Sequence, residues 1–271
     1  MTVSIARLFR AFCAIVSLLA LLVPSTLVAQ TAGEVVEVTA PAEAVTNGAA
    51  RPLVRGGAIA SGDLIRTGTG GRVQLLFEDE TKIVVGPASS LRLDETLFRG
   101  NGSAQKFSTA ALGGTFRFIS GGSPKRVYKL ATPVATMGIR GTVFDYTVTG
   151  DRTTDLLVFD GEVRFCANGA RCVVVPGGCQ AIAANSDGTY TQPLTADEKR
   201  ALLLRRFPLL ASQNNLLPPF RAGTAGCQTV KLIALPAAAG ADREDASESE
   251  RDGNPADGPS DPPDRGGNPA E

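Results

Sequence analysis

Three runs decide the fold class: Gly141-Thr142-Val143-Phe144-Asp145-Tyr146-Thr147-Val148, Asp155-Leu156-Leu157-Val158-Phe159, and Glu162-Val163-Arg164-Phe165-Cys166. Each is short, rich in β-branched and aromatic residues, and either alternates apolar with polar or is a brief apolar block. Side chains of a strand point to its two faces in turn, so such runs lay one face on a core. The same pattern continues towards the N-terminus. Arg126-Val127-Tyr128-Lys129-Leu130 alternates, and so does Thr115-Phe116-Arg117-Phe118-Ile119-Ser120, with Phe116 and Phe118 inward. Before them come Ser90-Leu91-Arg92-Leu93-Asp94, Lys82-Ile83-Val84-Val85, Arg72-Val73-Gln74-Leu75-Leu76-Phe77, Asp63-Leu64-Ile65-Arg66-Thr67 and Val35-Val36-Glu37-Val38. Glycine-rich turns fall between the runs every eight to twelve residues or so, the spacing of an all-β domain. Residues 33–183 are therefore expected to form one all-β domain. Short strands stacked as in a β-helix or roll are the first expectation, with an antiparallel β-sandwich as the alternative, because periodicity does not separate the two.

Beyond Ala183 the pattern changes, and 184–235 is expected to be a helical and irregular appendage. Thr195-Ala196-Asp197-Glu198 is a capping box, with Thr195 as N-cap and Glu198 three residues on, so a short helix should run from Ala196 to about Phe207 and stop before Pro208. Leu202, Leu203 and Leu204 make this helix apolar, while Lys199, Arg200, Arg205 and Arg206 make it basic. Such a helix either meets a membrane surface or packs on its own domain, and packing is the commoner fate. Residues 236–271 are dominated by Ala, Pro, Gly, Asp, Glu and Ser. Without large apolar side chains this acidic tail is expected to be disordered.

The first 29 residues read as a secretory signal peptide. Arg7 and Arg10 precede an apolar run from Ala11 to Val23, Pro24 and Ser25 break it, and small residues near Ala29 suit cleavage. The run is shorter than the ~20 residues of a membrane-spanning helix, so the mature chain is expected to lack a transmembrane span and to be periplasmic or secreted. Removing Cys13 leaves Cys166, Cys172, Cys179 and Cys227, an even number suited to disulfides in an oxidising compartment. Three connectivities are open. Cys166 and Cys172 flank Ala-Asn-Gly-Ala-Arg, and they can join only if the hairpin loop has an odd number of residues, since a two-residue turn would put them on opposite faces. Cys227 is far from the others in sequence and is placed to staple the appendage to the core.

Of the 271 residues none is histidine or tryptophan. Without histidine there is no Ser-His-Asp triad, no Cys-His pair and no histidine base, and without a CxxC motif a zinc site has no basis. The carboxylate pairs Asp79–Glu80 and Asp94–Glu95 lie at strand ends, where acids serve turns. Gly68-x-Gly70-Gly71 and Gly138-x-x-Gly141 lack the lysine and the strand-to-helix transition of phosphate loops, so no cofactor is expected. Net charge is zero, but residues 241–271 carry ten acids and three arginines. The positive charges elsewhere are scattered without interleaved aromatics, which gives no ground for nucleic-acid binding.

Gly62-Asp63-Leu64-Ile65-Arg66-Thr67-Gly68, Val73 through Thr81 and Val85 through Asp94 resemble the opening of the FecR domain. The fuller likeness follows in Gly114-Thr115-Phe116-Arg117-Phe118-Ile119-Ser120-Gly121 and in Ala131-Thr132-Pro133-Val134-Ala135-Thr136-Met137-Gly138-Ile139-Arg140-Gly141-Thr142-Val143-Phe144. The resemblance spans about residues 50–165. It implies a periplasmic, all-β, non-enzymatic domain; in iron-siderophore regulators that domain passes a signal from an outer-membrane transporter to a cytoplasmic sigma factor. This sequence shows no anti-sigma segment, no transmembrane helix after one and no evident domain for the transporter, so what carries over is an exported interaction or signalling module with a protein partner in the cell envelope.

The motif residues Asp63, Gly68, Thr132, Pro133, Gly138, Arg140, Gly141 and Thr142 read first as architecture. Gly138 and Gly141 permit a turn between strands, and Pro133 biases Thr132 to extended backbone. Arg140 is a long cation between glycines. It either caps backbone carbonyls or pairs with a carboxylate such as Asp63 or Asp145, or it contacts a ligand. A glycan-binding or hydrolytic module is the alternative function, weakened by the scarcity of aromatic platforms for sugar rings.

Overall fold

The computed structural model describes residues 31–236; the predicted signal peptide and nearly all of the acidic tail lie outside these residues. Eight strands form the N-terminal half: β1 (Thr31–Thr39), β2 (Ala42–Thr46), β3 (Ala49–Pro52), β4 (Ala58–Ala60), β5 (Leu64–Thr67), β6 (Arg72–Phe77), β7 (Lys82–Val85) and β8 (Ser90–Phe98). Seven follow: β9 (Ala104–Ile119), β10 (Tyr128–Ala131), β11 (Ala135–Val148), β12 (Thr154–Ala167), β13 (Val173–Pro176), β14 (Gln180–Ala184) and β15 (Tyr190–Thr191). All fifteen belong to one sheet in the order β15-β14-β12-β11-β10-β9-β7-β6-β1-β4, with β13 paired to β12 and with β2, β3, β5 and β8 joined through β9.

The protein is all-β with a short C-terminal helix, as the alternation implies. A stacked-coil β-helix needs parallel neighbours, whereas every ladder among the described residues is antiparallel except β9–β10, so the antiparallel alternative describes the pairing. Three strands are also much longer than the sequence runs suggest: β9 has 16 residues and β11 and β12 have 14 each. Each changes partners along its length. The first part of β9 lies between β8 and β10, and its last part between β7 and β11. The runs 155–159 and 162–166 are one strand because Gly161 bends the chain without ending it. Gly161 (φ +74°) faces Gly141 (φ +65°) so closely that a Cβ on Gly161 would stand 2.1 Å from the Gly141 carbonyl oxygen.

The core follows from the alternation. Phe116, Phe118, Phe144 and Tyr146 all point inward and are buried. Phe107 stands at the centre, with ring centroids 4.8 Å from Phe77, 5.3 Å from Tyr128 and 6.0 Å from Phe118, mostly in edge-to-face geometry. Removing one such ring costs about 3–5 kcal/mol. The strand region between Ala42 and Ala60, unmarked by strong alternation, turns on Asn47-Gly48, both at positive φ, in a two-residue hairpin pairing Thr46 with Ala49.

A second layer covers part of the outer face. Helix α1 (Ala196–Arg206) begins with the expected capping box, Thr195 accepting from the Glu198 amide and Glu198 from the Thr195 amide. It leads into α2 (Pro208–Ala211) and two 3₁₀ turns, Gln213–Asn215 and Pro218–Phe220. Leu203, Phe207 and Ala222 pack on Leu157, Phe159, Cys179 and Ala181. Leu209, Leu216 and Phe220 pack on Val84. The helix thus lays Leu203 on the sheet with Leu202 half-buried beside it, while Leu204 stays exposed, and its buried Lys199 donates to the carbonyls of Gly226 (3.1 Å) and Thr229. No helix among the described residues is long and apolar enough to cross a membrane.

Candidate interaction surface

Gly138, Arg140, Gly141 and Thr142 lie inside the long strand β11 and not in a turn between strands. Only Gly141 has positive φ, and it forms the bend against Gly161. Thr142 is buried beside it; its amide donates to Ser120 Oγ (3.1 Å) and its carbonyl accepts from the Ser120 amide (3.0 Å). Arg140 points to solvent with 83% of its side chain exposed, and its partner is neither Asp63 nor Asp145 but Glu162, at 3.6 Å. Glu162 is the residue directly across the β11–β12 ladder. Register decides this pair, and the register of two 14-residue strands was not available from the motif alone.

Around Arg140 the β10–β11–β12–β13 face forms a groove of about 440 Å³ lined by Lys125, Arg126, Lys129, Gly138, Arg140, Glu162, Arg164 and Val174. Gly138 pairs with Arg164, and Arg164 with Val174. Leu130 pairs with Met137, which carries Lys129 to the other flank of Gly138. Lys125 donates to the Gly121 carbonyl (2.7 Å) and sits 5.9 Å from the Tyr128 ring centre. The Tyr128 hydroxyl is itself buried and donates to Asp79, and burial, followed by the Asp79 bond, pushes its pKa up to about 12. Among the described residues Arg126, Lys129 and Arg164 have no carboxylate partner, whereas Arg51, Arg66, Arg92 and Lys106 elsewhere on the sheet do. The groove can therefore offer charge to an anionic group without first breaking an ion pair at those three side chains.

The other motif residues hold the frame. Asp63, 1% exposed, accepts from Arg51 (2.6 Å), the Ala60 amide (3.0 Å) and the Thr46 hydroxyl, tying the β2–β3 hairpin to the β4–β5 turn. Gly68 lies against Pro41, where a Cβ would meet the ring at 2.5 Å. Thr132 accepts from the Ala135 amide (3.0 Å) and shares a hydroxyl bond with Thr154 (2.8 Å), closing the β10–β11 turn at Pro133. The Pro133 carbonyl in turn accepts from Asn168 (3.0 Å).

The cysteines pair as Cys166–Cys172 and Cys179–Cys227. The β12–β13 register, Glu162 with Pro176 through Phe165 with Val173, leaves a five-residue loop between Cys166 and Cys172, the odd length that such a bridge requires. Cys179–Cys227 ties the segment after α2 to the sheet. The carboxylate pairs also have structural partners: Asp79 accepts from the Thr81 amide (3.0 Å), Asp94 pairs with Arg92 and Glu95 with Lys106.

Two features escaped the sequence reading. Arg117, fully buried, makes a bidentate pair with Asp145 (2.6 and 2.8 Å) and also donates to Gln213 Oε1 (3.2 Å) and the Phe220 carbonyl (3.3 Å) under the C-terminal segment. Burial pushes the Asp145 carboxyl up against the pull of Arg117. An arginine alternating with two inward phenylalanines was the signal for an outer-face partner. The second is a cleft of about 660 Å³ between α1 and the β12–β14–β15 edge, which contains Asp155. Arg206 approaches Asp155 at 3.6 Å, and burial, partly offset by Arg206, raises this carboxyl to about 6.

Two crystal structures described as "a putative anti-sigma factor" from Parabacteroides distasonis resemble the chain at 17% identity with a TM-score of 0.40, covering 52% of this chain and 64% of theirs. No curated protein matches the chain. The family model described as FecR protein matches residues 63–164, from the buried Asp63 through the Gly138–Arg140 groove to Arg164. The chain thus carries a match to the FecR family over residues 63–164.

Proposed function

We propose that the chain is an exported, non-enzymatic protein-interaction module of the bacterial cell envelope that takes part in envelope signalling through the Arg140 groove. The observation that carries this reading is the set of uncompensated cations, Arg126, Lys129 and Arg164, gathered around the family-motif residues Gly138 and Arg140. The remaining motif residues have architectural work to do, and these do not. The two disulfides are compatible with an oxidising compartment, and the sequence of residues 1–29 has the layout of a signal peptide. On this reading 33–183 is the interaction domain, 184–235 an appendage fixed to it, and no cofactor is used.

The test is fractionation of native cells with intact mass under non-reducing conditions, followed by cross-linking from the groove. A soluble species trimmed near Ala29 and lighter by four protons, which cross-links to one envelope protein through a photoreactive residue at position 140, is the expected result. A full-length, membrane-bound species with free thiols, or no cross-linked protein from any exposed face, overturns the reading.

A further inference from the structure

The groove has a feature that the interaction reading alone does not use: its floor is bare. Gly138 sits in regular strand backbone without positive φ, and a Cβ added there would find nothing closer than Arg164 Cβ at 3.9 Å. Neither backbone conformation nor packing asks for glycine at this position, and glycine weakens a strand interior. Gly161 and Gly68, by contrast, are held by close approach of other backbone or side chains. A glycine unneeded by its own fold leaves room for something else to approach the sheet closely.

The flanks say what that is. In the row that crosses Gly138, Lys129 lies on one side and Arg164 on the other, neither with a carboxylate partner, and the exposed Val174 follows Arg164. Lys129 and Arg164 rise from strands on either side of β11, about 4.8 Å away per strand, so their backbones stand about 10 Å apart across Gly138. That spread suits an extended polyanion. Tyr128 is the groove's aromatic ring and it is buried, so sugar rings have no platform to stack on. An extended peptide fits better: acidic side chains two residues apart share one face at about 7 Å spacing, and an aliphatic residue can rest on Val174.

We propose that the groove over Gly138 receives an acidic, extended segment of a protein partner, its carboxylates on Lys129 and Arg164 and its backbone over the bare glycine. This rests on the protein-interaction reading above and names the chemistry of the partner. Arg140 is half-committed to Glu162, so it adds to binding only as that exposed pair opens. With arginine and lysine as the receiving groups, binding falls steeply with salt.

The test uses the full exported protein and a fluorescein-labelled oligo-glutamate peptide, followed by anisotropy at low salt. Saturable binding is expected. Lys129→Glu with Arg164→Glu should weaken it by about tenfold or more, while Arg55→Glu with Arg152→Glu, equal in charge change but outside the groove, should leave it within about twofold. Gly138→Leu should weaken it as strongly with an unchanged thermal midpoint, which separates the bare floor from bulk charge. Peptide binding indifferent to Gly138→Leu and to the groove charge reversals overturns the proposal. So does groove-dependent binding of heparin or of phosphatidylglycerol vesicles with no binding of the peptide, which would make the groove a polysaccharide or lipid site. A partner that cross-links at another face, unaffected by the groove variants, also overturns it and leaves the interaction reading standing.

Discussion

Strand β11 carries two arginine–carboxylate pairs, one on each side of the Gly141 bend, and they have opposite lives. Arg117 and Asp145 face each other across the β9–β11 ladder, Arg140 and Glu162 across β11–β12. Chemically the pairs are alike. The first is fully buried, bidentate at 2.6 and 2.8 Å, and its remaining guanidinium nitrogen is satisfied by Gln213 and Phe220, with the Phe159 ring 5.2 Å away. The second is exposed and loose at 3.6 Å. What separates them is the C-terminal segment, which lies over one and leaves the other open. A covered pair holds elements together, whereas an open pair keeps its charge available to a partner.

The largest expected effect tests this contrast directly. Asp145→Ala leaves Arg117 buried without its counter-charge and should cost about 3–5 kcal/mol, whereas Glu162→Ala at the exposed pair should cost about 0–1 kcal/mol. Denaturant unfolding of the two variants measures both. Equal costs would break the comparison and make Arg140–Glu162 part of the frame.

Next in size are the disulfides. Cys179–Cys227 closes a loop with a sequence separation of 48, and Cys166–Cys172 one of 6. Replacing Cys179 and Cys227 by serine should cost about 2–4 kcal/mol, and the smaller loop less, since a longer loop regains more entropy on unfolding. Hydrogen exchange sharpens the point. In the Cys179→Ser, Cys227→Ser protein, amides of residues 213–229 should lose protection while those around Phe107 and Phe118 keep theirs. Uniform loss throughout would mean that the segment over Arg117 is not a separable cover.

A third test uses pH. Asp155 lies at the edge of the covered region, and burial raises its carboxyl from 3.8 to about 6 despite Arg206. A carboxyl whose folded value exceeds its unfolded value binds more protons in the native state between the two, so stability falls as pH rises from about 4 to about 6 and is level above. The difference is on the order of 2–3 kcal/mol. Asp151 and Asp187, held low chiefly by their threonine hydroxyls, act in the opposite sense and only below that window. Wild type should therefore melt higher at pH 5 than at pH 7, and Asp155→Asn should reduce that gap. An unchanged gap in the variant would place its cause elsewhere.

The two regions also differ in how far the sequence revealed them. Inward Phe116, Phe118, Phe144 and Tyr146 follow from alternation, and the start of α1 from Thr195 and Glu198, because both signals are local. The four cysteines were legible as disulfide candidates, but their pairing was not, because it depends on the length of the loop between Cys166 and Cys172 and on where the segment carrying Cys227 docks. The partner of Arg140 was not legible, because it depends on the register of β11 on β12 past a double-glycine bend. Nor was the burial of Arg117, which depends on a segment about a hundred residues later docking on its strand. Strand β11 looked like a turn followed by a strand because Gly138 and Gly141 resemble turn residues; only Gly141 serves a bend.

The glycine of the groove and the glycine of the bend give the most pointed contrast. Gly161→Ala sets a Cβ 2.1 Å from the Gly141 carbonyl at positive φ and must displace backbone, so it should be strongly destabilising. Gly138→Ala meets only Arg164 Cβ at 3.9 Å in extended backbone, and it should be neutral or stabilising by up to about 1 kcal/mol. Thermal unfolding of the two variants side by side reads the difference. If Gly138→Ala raised stability while weakening a partner's hold, the glycine would owe its place to binding. If it unfolded the protein as Gly161→Ala does, Gly138 would belong with the frame, and the open pair beside it would lose its claim to a separate role.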